Sequence, residues 1–242
     1  GFGYTAAVSG LISFASAASG LRIDLANPSR RNALNDDLLR ELIDALTRAA
    51  AESRAVILGA QRSSGVWCAG FDITSLPTDG SMPDPTTSPF DRALTCVREL
   101  PIPVIAVVDG GAWGGGCNLA LVCDLIVATH DASFAITPAK LGVAYDSAGI
   151  ADFLSSLPVH IAREMFFTAE PIEADRLERL GVVNRLCDSA DSARDTARLM
   201  AHTIATRAPL SLRSIKAEIA SADFREGRAA FIERRPASFT GE

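Results

Sequence analysis

Along the chain the spacing of apolar positions changes period, and each change marks an element. "GLRIDLA" (20–26) alternates every second residue, the pattern of a strand, and "NPSRRNALN" then breaks it with Asn, Pro and Ser. "DDLLRELIDALTRAAA" (36–51) repeats apolar residues at helical spacing with acids in its first turn, so a helix is predicted there. "RAVILGA" (54–60) is a continuous apolar run of the buried-strand type. "VWCAGFDI" reads as a strand edge and turn, and "PTDGSMPDPTTSP" (77–89) as a surface loop. A helix in "PFDRALTCVREL", a strand in "PIPVIAVVDG", a glycine-rich entry into a helix in "GGAWGGGCNLALVC" and a strand in "DLIVAT" follow. This alternation predicts an α/β fold of repeated ββα or βα units. Beyond about residue 150 the strand signal fades. "ADSARDTARLMAHTIATRA" and "SLRSIKAEIA" then predict a helical C-terminal third. The opening "GFGYTAAVSGLISFASAASG" lacks a basic start and reads as a first strand or an expression remnant rather than a signal peptide.

Composition narrows the class. The 242 residues, 48% hydrophobic and 21% charged, suit one domain with a small appendage. The formal net charge of −6 disfavours nucleic acid and anionic membrane surfaces, so an anionic ligand has to be held locally. No uncharged apolar run reaches membrane-spanning length. Cys68, Cys96, Cys117, Cys123 and Cys187 form no C-x-x-C pair, and His130, His160 and His202 are scattered. The expectation is reduced thiols, no metal and a cytoplasmic location.

Two glycine turns follow apolar strands: Ala69-Gly70-Phe71-Asp72, and Gly114-Gly115-Gly116-Cys117 at a helix start. Each is compatible with close helix–sheet packing. Each is also compatible with backbone N–H groups aimed at a developing negative charge, and two facing turns would make an oxyanion hole. The spacing fits neither a phosphate loop nor a dinucleotide fingerprint.

Together with these turns, "NPSRRNALN", "CAGFDI", "PIPVIAVVDGGAWGGGCNLALVCDLIVA", "SFAITPAKLGVAY", "ERLGVVNRL" and "FIERRPASFTG" resemble the crotonase (enoyl-CoA hydratase/isomerase) superfamily, over nearly the whole chain and in order. The resemblance implies a crotonase-type spiral of ββα units over 1–190 and a helical trimerisation region over 191–242, in a homotrimer or dimer of trimers. It implies an acyl-CoA thioester as substrate, with CoA part of that substrate and no separate cofactor. Its carbonyl would be held by the N–H groups of Phe71 and Gly115. Arg30 or Arg31, Ala33, Ala69, Gly70, Asp72 and Ile73 would line the CoA path, with Gly114 and Thr137 beside the hole and Arg234 approaching from the C-terminal segment.

The family's hydratases use two glutamates, and the matching positions here are Asn118 and Pro138. Neither exchanges protons near neutral pH, so the usual hydration route is not expected. No Asp or Glu stands between Phe134 and Tyr145. "TPAKLGVAY" is similar to the stretch carrying the tyrosine of the family's methylmalonyl-CoA decarboxylases. Decarboxylation of a malonyl- or methylmalonyl-type thioester is therefore expected, with Tyr145 orienting the departing carboxylate. The AGxD turn of those decarboxylases carries His where this chain has Phe71. A hydratase- or hydrolase-type member with a rearranged base and a catalytically idle binding subunit are the alternatives. Asp72 is expected to cap its turn, Asp109 and Asp124 to be structural, Trp113 to pack by the pocket, Asp146 to be a solvated loop carboxylate, and Lys140 to sit at a helix end.

Overall fold

The computed structural model describes residues 5–17, 20–61, 63–72, 74, 88–142, 145, 147–221, 230 and 234–238. The opening stretch forms two strands rather than one: β1 (Thr5–Ser9) and β2 (Ile12–Ala17) pair antiparallel, and β2 pairs with β3 (Gly20–Leu25). Helix α1 (Asp36–Glu52) is capped by Asn35, whose side chain accepts from the Leu38 N–H, and Asp36 and Asp37 favour its positive end.

Three ββα units follow: β4 (Val56–Ala60), β5 (Val66–Cys68) and α2 (Pro89–Glu99), then β6 (Val104–Val108), β7 (Gly111–Trp113) and α3 (Gly115–Leu121), then β8 (Leu125–Thr129), β9 (Ser133–Ala135) and α4 (Pro138–Leu141). Helices α5 (Ser147–Ser156) and α6 (Val159–Thr168), strand β10 (Ile172–Glu173), helix α7 (Ala174–Arg179), strand β11 (Arg185–Cys187) and helices α8 (Ala190–Ala205) and α9 (Pro209–Ala220) complete the order. Each unit gives its first strand to one sheet and its second to another. Among the described residues the larger sheet runs β1-β2-β3-β4-β6-β8-β11 and the smaller β10-β9-β7-β5. Chain pitch and sheet pairing thus wind the units into the spiral that the motifs imply.

The runs in β4, β6 and β8 are continuously apolar because both faces of the larger sheet are covered. In β4, Val56, Leu58 and Ala60 join the main core with Leu38, Leu42 and Leu46 of α1. Ile57, Ile105, Val107 and Val127 point the other way, against Ala193, Ala197 and Ala201 of α8. The small side chains, four residues apart, let that helix lie close on the sheet. Two acids read as structural tie helices down. Asp109 pairs with Arg194 of α8 at 3.2 Å. Asp124 accepts from the Val104 N–H and pairs with Lys216 of α9 at 2.6 Å.

Strands β7, β9, β10 and β11 are only two or three residues long. No alternation can show in so short a piece, which is why the pattern marks "GAW" only as glycine-rich and predicts no strand after 150. Of the loop predicted at 77–89, residues 77–87 lie outside the described residues, while Ser88 caps α2 and Pro89 opens it. The cysteines are free thiols: Cys68, Cys117 and Cys123 are buried, Cys96 and Cys187 half-buried. Burial pushes the Cys68 thiol up to about 12 and raises those of Cys117 and Cys123 as well, so these three are not nucleophiles. No helix among the described residues is long and apolar enough to cross a membrane.

Candidate active site

The two glycine turns meet. "NPSRRNALN" folds as a 3-10 turn (Pro28–Arg30) followed by Arg31 and Asn32, both with positive φ. The segment then runs beside the first glycine turn: Ala69 N–H donates to Arg31 O at 2.9 Å, Leu34 N–H to Gly70 O at 2.8 Å, and Asp72 N–H to Leu34 O at 3.1 Å. Leu34 and Phe71 form a parallel bridge. In such a bridge the bonds are made by the flanking residues, so the Phe71 N–H stays out of the ladder. Gly115 is the first residue of α3, and its N–H has no intrahelical partner either. Among the described residues neither N–H has an acceptor.

The backbone here is crowded to the limit. Gly70 has φ of 92°, and a Cβ built on it would overlap Trp113 O and stand 3.0 Å from the Gly115 nitrogen. A Cβ on Gly115 would stand 3.2 Å from the Phe71 nitrogen and 3.0 Å from Phe90 Cε2. The Phe71 and Gly115 amides are therefore neighbours, roofed by the Phe90 ring, which meets Phe71 edge-on at 6.0 Å. Gly114, at φ 52° and ψ −120°, occupies backbone space that side chains disfavour; its N–H donates to Ala135 O at 2.8 Å. Thr137 stands over it as N-cap of α4. Two adjacent N–H groups in an apolar setting can hold a developing oxyanion.

Asn32 was not singled out by the sequence pattern, yet it holds this wall. Wholly buried, its Nδ2 donates to Gln61 O and Trp67 O at 2.9 Å each, and its Oδ1 accepts from the Asn27 N–H at 3.0 Å. Cys68 donates its thiol to Asn32 O at 3.1 Å.

Tyr145 is both packed and partnered. Its ring meets Phe166 at 5.4 Å and Phe153 at 6.0 Å, edge to face, and lies so close over Gly149 that a Cβ there would overlap it. Its hydroxyl donates to Asn118 Oδ1 at 2.7 Å. Asn118, wholly buried, is three residues past Gly115 on α3, so the hydroxyl is anchored one helical turn from the Gly115 amide. Asn118 Nδ2 donates to Asp152 Oδ2 at 3.0 Å, and Arg98 Nη1 reaches both Asp152 oxygens at 2.7 and 2.8 Å. Position 118, empty of acid/base chemistry in sequence, is thus the tyrosine's partner. Asp152 and Arg98 carry no local signal, being 34 and 20 residues away in sequence from Asn118.

The remaining candidates divide. Asp72 caps its turn, accepting from the Thr74 N–H at 3.1 Å and the Thr74 hydroxyl at 2.7 Å, and pairs with Arg30 at 3.1 Å. Arg30 is therefore tied to this wall, whereas Arg31 contributes its carbonyl and leaves its side chain exposed. Ala33 and Ala69 are half-buried along the same edge. Trp113 is half-buried with its Nε1 enclosed. Lys140 sits in the last turn of α4, paired with Glu170 at 3.0 Å. Arg234 lies on an exposed turn at φ 54°, joined to the site by no hydrogen bond or ion pair among the described residues. Ile73 and Asp146 lie outside the described residues.

The bonds from Thr74, and after them Arg30, hold the Asp72 carboxyl below its ordinary 3.8. A carboxyl depressed on folding adds stability above its unfolded value and loses it as pH falls through the folded one. Wild type should therefore melt above Asp72→Asn at pH 7, with the gap closing below about pH 4. Parallel thermal melts from pH 7 to 3 check this, and a gap undiminished at pH 3 would contradict it.

Comparison with known proteins places the fold in a family. The enoyl-CoA hydratase/isomerase family model matches residues 16–222. The methylmalonyl-CoA decarboxylase of Escherichia coli K12 is 33% identical over 231 residues, covering 85% of this chain and 87% of the relative. A carnitinyl-CoA dehydratase of Citrobacter koseri is 40% identical over 149 residues, covering 61% of this chain and 56% of the relative. Among solved structures, a methylmalonyl-CoA decarboxylase in complex with 2-nitronate-propionyl-CoA superposes with a TM-score of 0.84 at 30% identity, over 97% of this chain and 100% of that one. An enoyl-CoA hydratase/carnithine racemase from Magnetospirillum magneticum superposes with a TM-score of 0.79 at 27% identity, covering 98% and 97%. The spiral of ββα units, the paired amides between two glycine turns and the match over most of the chain lead to one conclusion: this chain belongs to the enoyl-CoA hydratase/isomerase (crotonase) family.

Proposed function

We propose that the protein decarboxylates a malonyl- or methylmalonyl-type CoA thioester through an enolate held by the Phe71 and Gly115 amides. The observation that carries this reading is the Tyr145 hydroxyl, anchored one helical turn from Gly115 on an amide rather than a carboxylate. A neutral phenol can direct a carboxylate but is a poor base near pH 7. Asp152, the carboxylate of this network, is engaged by Arg98 through both oxygens and by Asn118, the contacts of an anchor. The likeness to methylmalonyl-CoA decarboxylases in sequence and in structure supports the same choice.

In this reaction the thioester oxygen lies between the two N–H groups, and the bond from Cα to the carboxylate stands across the thioester plane. That bond breaks, its electron pair enters the enolate, and CO2 leaves. The enolate then takes one solvent proton at Cα, giving the saturated acyl-CoA. The amides act more strongly on the enolate oxygen than on the ground-state carbonyl, and this difference is what accelerates the step. The step as written balances without metal or organic cofactor. Arg30 and the exposed Arg31 are the cations on the edge where the CoA phosphates would run.

Malonyl-, methylmalonyl- and crotonyl-CoA, incubated with wild type and Tyr145→Phe and followed by mass spectrometry, test the reading. CO2 loss slowed roughly ten- to a thousandfold in the variant is expected. Water addition to crotonyl-CoA without decarboxylation would overturn it in favour of a hydratase. Thermal stabilisation by CoA esters without turnover would point to a binding subunit.

A further inference from the structure

We propose that Asn118 is a positioning residue that competes with the substrate carboxylate for the proton of Tyr145, and that Asp152 and Arg98 lock its amide in the competing orientation. The inference rests on the decarboxylase reading and adds a residue whose only legible feature in sequence is a missing glutamate.

A phenol has one proton to donate. In the folded chain that proton is directed at Asn118 Oδ1, 2.7 Å away. An asparagine amide can normally turn over and present its NH2 instead. Here it cannot do so at low cost, because Nδ2 donates to Asp152 Oδ2 at 3.0 Å and a flip would set the amide oxygen against a carboxylate. Asp152 is itself held by Arg98 Nη1 at 2.7 and 2.8 Å, and Arg98 Nη2 donates to Thr95 Oγ1 at 3.0 Å. The chain from α2 through α5 to α3 thus fixes which face of the amide meets the tyrosine.

The consequence is differential. When a carboxylate binds beside Tyr145, the hydroxyl can donate to it only by leaving the fully buried Asn118 oxygen without that bond. When the charge departs as CO2, the proton returns to Asn118. The bound carboxylate is therefore held less tightly than a dedicated donor would hold it, while its hydroxyl guide remains in place. An interaction that weakens the charged ground state and is relieved as the charge is lost lowers the barrier. Removing the competing acceptor should tighten binding of the carboxylate and slow the chemistry together.

The test uses the full chain with Asn118→Leu, Asp152→Ala and Asp152→Asn. Affinity is measured for 2-carboxypropyl-CoA, which keeps a carboxylate but has no thioester carbonyl. Turnover is measured as CO2 release from methylmalonyl-CoA. A third readout is the fluorine resonance of 3-fluorotyrosine at position 145 in a Tyr4→Phe background, since Tyr4 is the other tyrosine of the chain. Asn118→Leu is expected to bind the analogue roughly three- to tenfold more tightly and to lose about tenfold in kcat, with KM falling. Its fluorine resonance should be displaced before any ligand is added. Asp152→Ala, which frees the amide to turn, should change all three in the same direction. Asp152→Asn, whose side-chain oxygen can still accept from Asn118 but whose NH2 would face Arg98, should fall between wild type and Asp152→Ala in all three. Weaker analogue binding in Asn118→Leu, or an unmoved fluorine resonance in both Asn118→Leu and Asp152→Ala, would overturn the assignment. If wild type releases no CO2, the decarboxylase reading fails on that ground alone, and the analogue and fluorine readouts still decide what Asn118 does to Tyr145.

Discussion

Substituting Gly115 by alanine is expected to lower kcat by about 10²- to 10³-fold while the chain remains folded: the N–H is kept, but the methyl group bars the oxygen from it, which costs as much as losing one donor of an oxyanion hole. The new methyl group would stand 3.0 and 3.1 Å from the Phe90 ring and 3.2 Å from the Phe71 nitrogen. It would enter the space between the two amides, where the proposed reaction puts the thioester oxygen. Neither the backbone nor the helix opposes the change: Gly115 does not have positive φ, and alanine favours a helix over glycine by about 1 kcal/mol. Steady-state kinetics on whichever CoA ester the wild type turns over, with a thermal melt of each protein, separates the effects. A variant that melts normally and keeps kcat within threefold would show that these two amides are not the hole.

Asn32→Ala is expected to destabilise the protein by about 3 kcal/mol, since it strands three backbone groups, two of them in wholly buried bonds, at about 1 kcal/mol each. For a chain of this size that corresponds to a fall in melting temperature of roughly 6–12 °C. The partners are Gln61 O, Trp67 O and the Asn27 N–H, the bonds to Trp67 and Asn27 wholly buried and that to Gln61 part-buried. Position 32 also has φ of 52°, which asparagine tolerates better than alanine, so backbone strain adds to the loss. Asn32→Asp separates the contributions: it keeps the acceptor for Asn27 but turns the donating end against two carbonyls. It should be at least as destabilising as alanine. Urea unfolding of the three proteins measures this, and a loss below 1 kcal/mol in Asn32→Ala would mean that neighbouring groups replace those bonds. Because Asn32 holds Arg31 beside Ala69, affinity for CoA esters should fall with stability.

Both variants lie within sequence features read differently. The glycine turns could be located from sequence because strand, glycine and helix follow one another there, and local geometry leaves few alternatives. What could not be read was that "NPSRRNALN" runs against the first turn, bridging to it at Leu34, and closes the pair. Phe90 as a roof, Phe153 and Phe166 around Tyr145, and Asn32 as the buried clamp likewise come from segments brought together only by folding.

The sequence by itself determined the repeating units, since apolar period and helix caps act over a few residues. It determined β4 as a buried strand, β6 and β8 as strands and α1 by its stripe of leucines. Through its ordered motifs it also pointed to the family. Only the tertiary structure decided that two- and three-residue pieces such as β7 and β11 are strands, because pairing with a neighbour rather than their own pattern makes them so. It alone decided the setting of Tyr145. The bonds that define that setting join residues 27, 34 and 54 positions apart. A hydrogen bond is specified by where two groups come to rest, and that depends on how α2, α3 and α5 pack, a property no stretch of the chain holds alone.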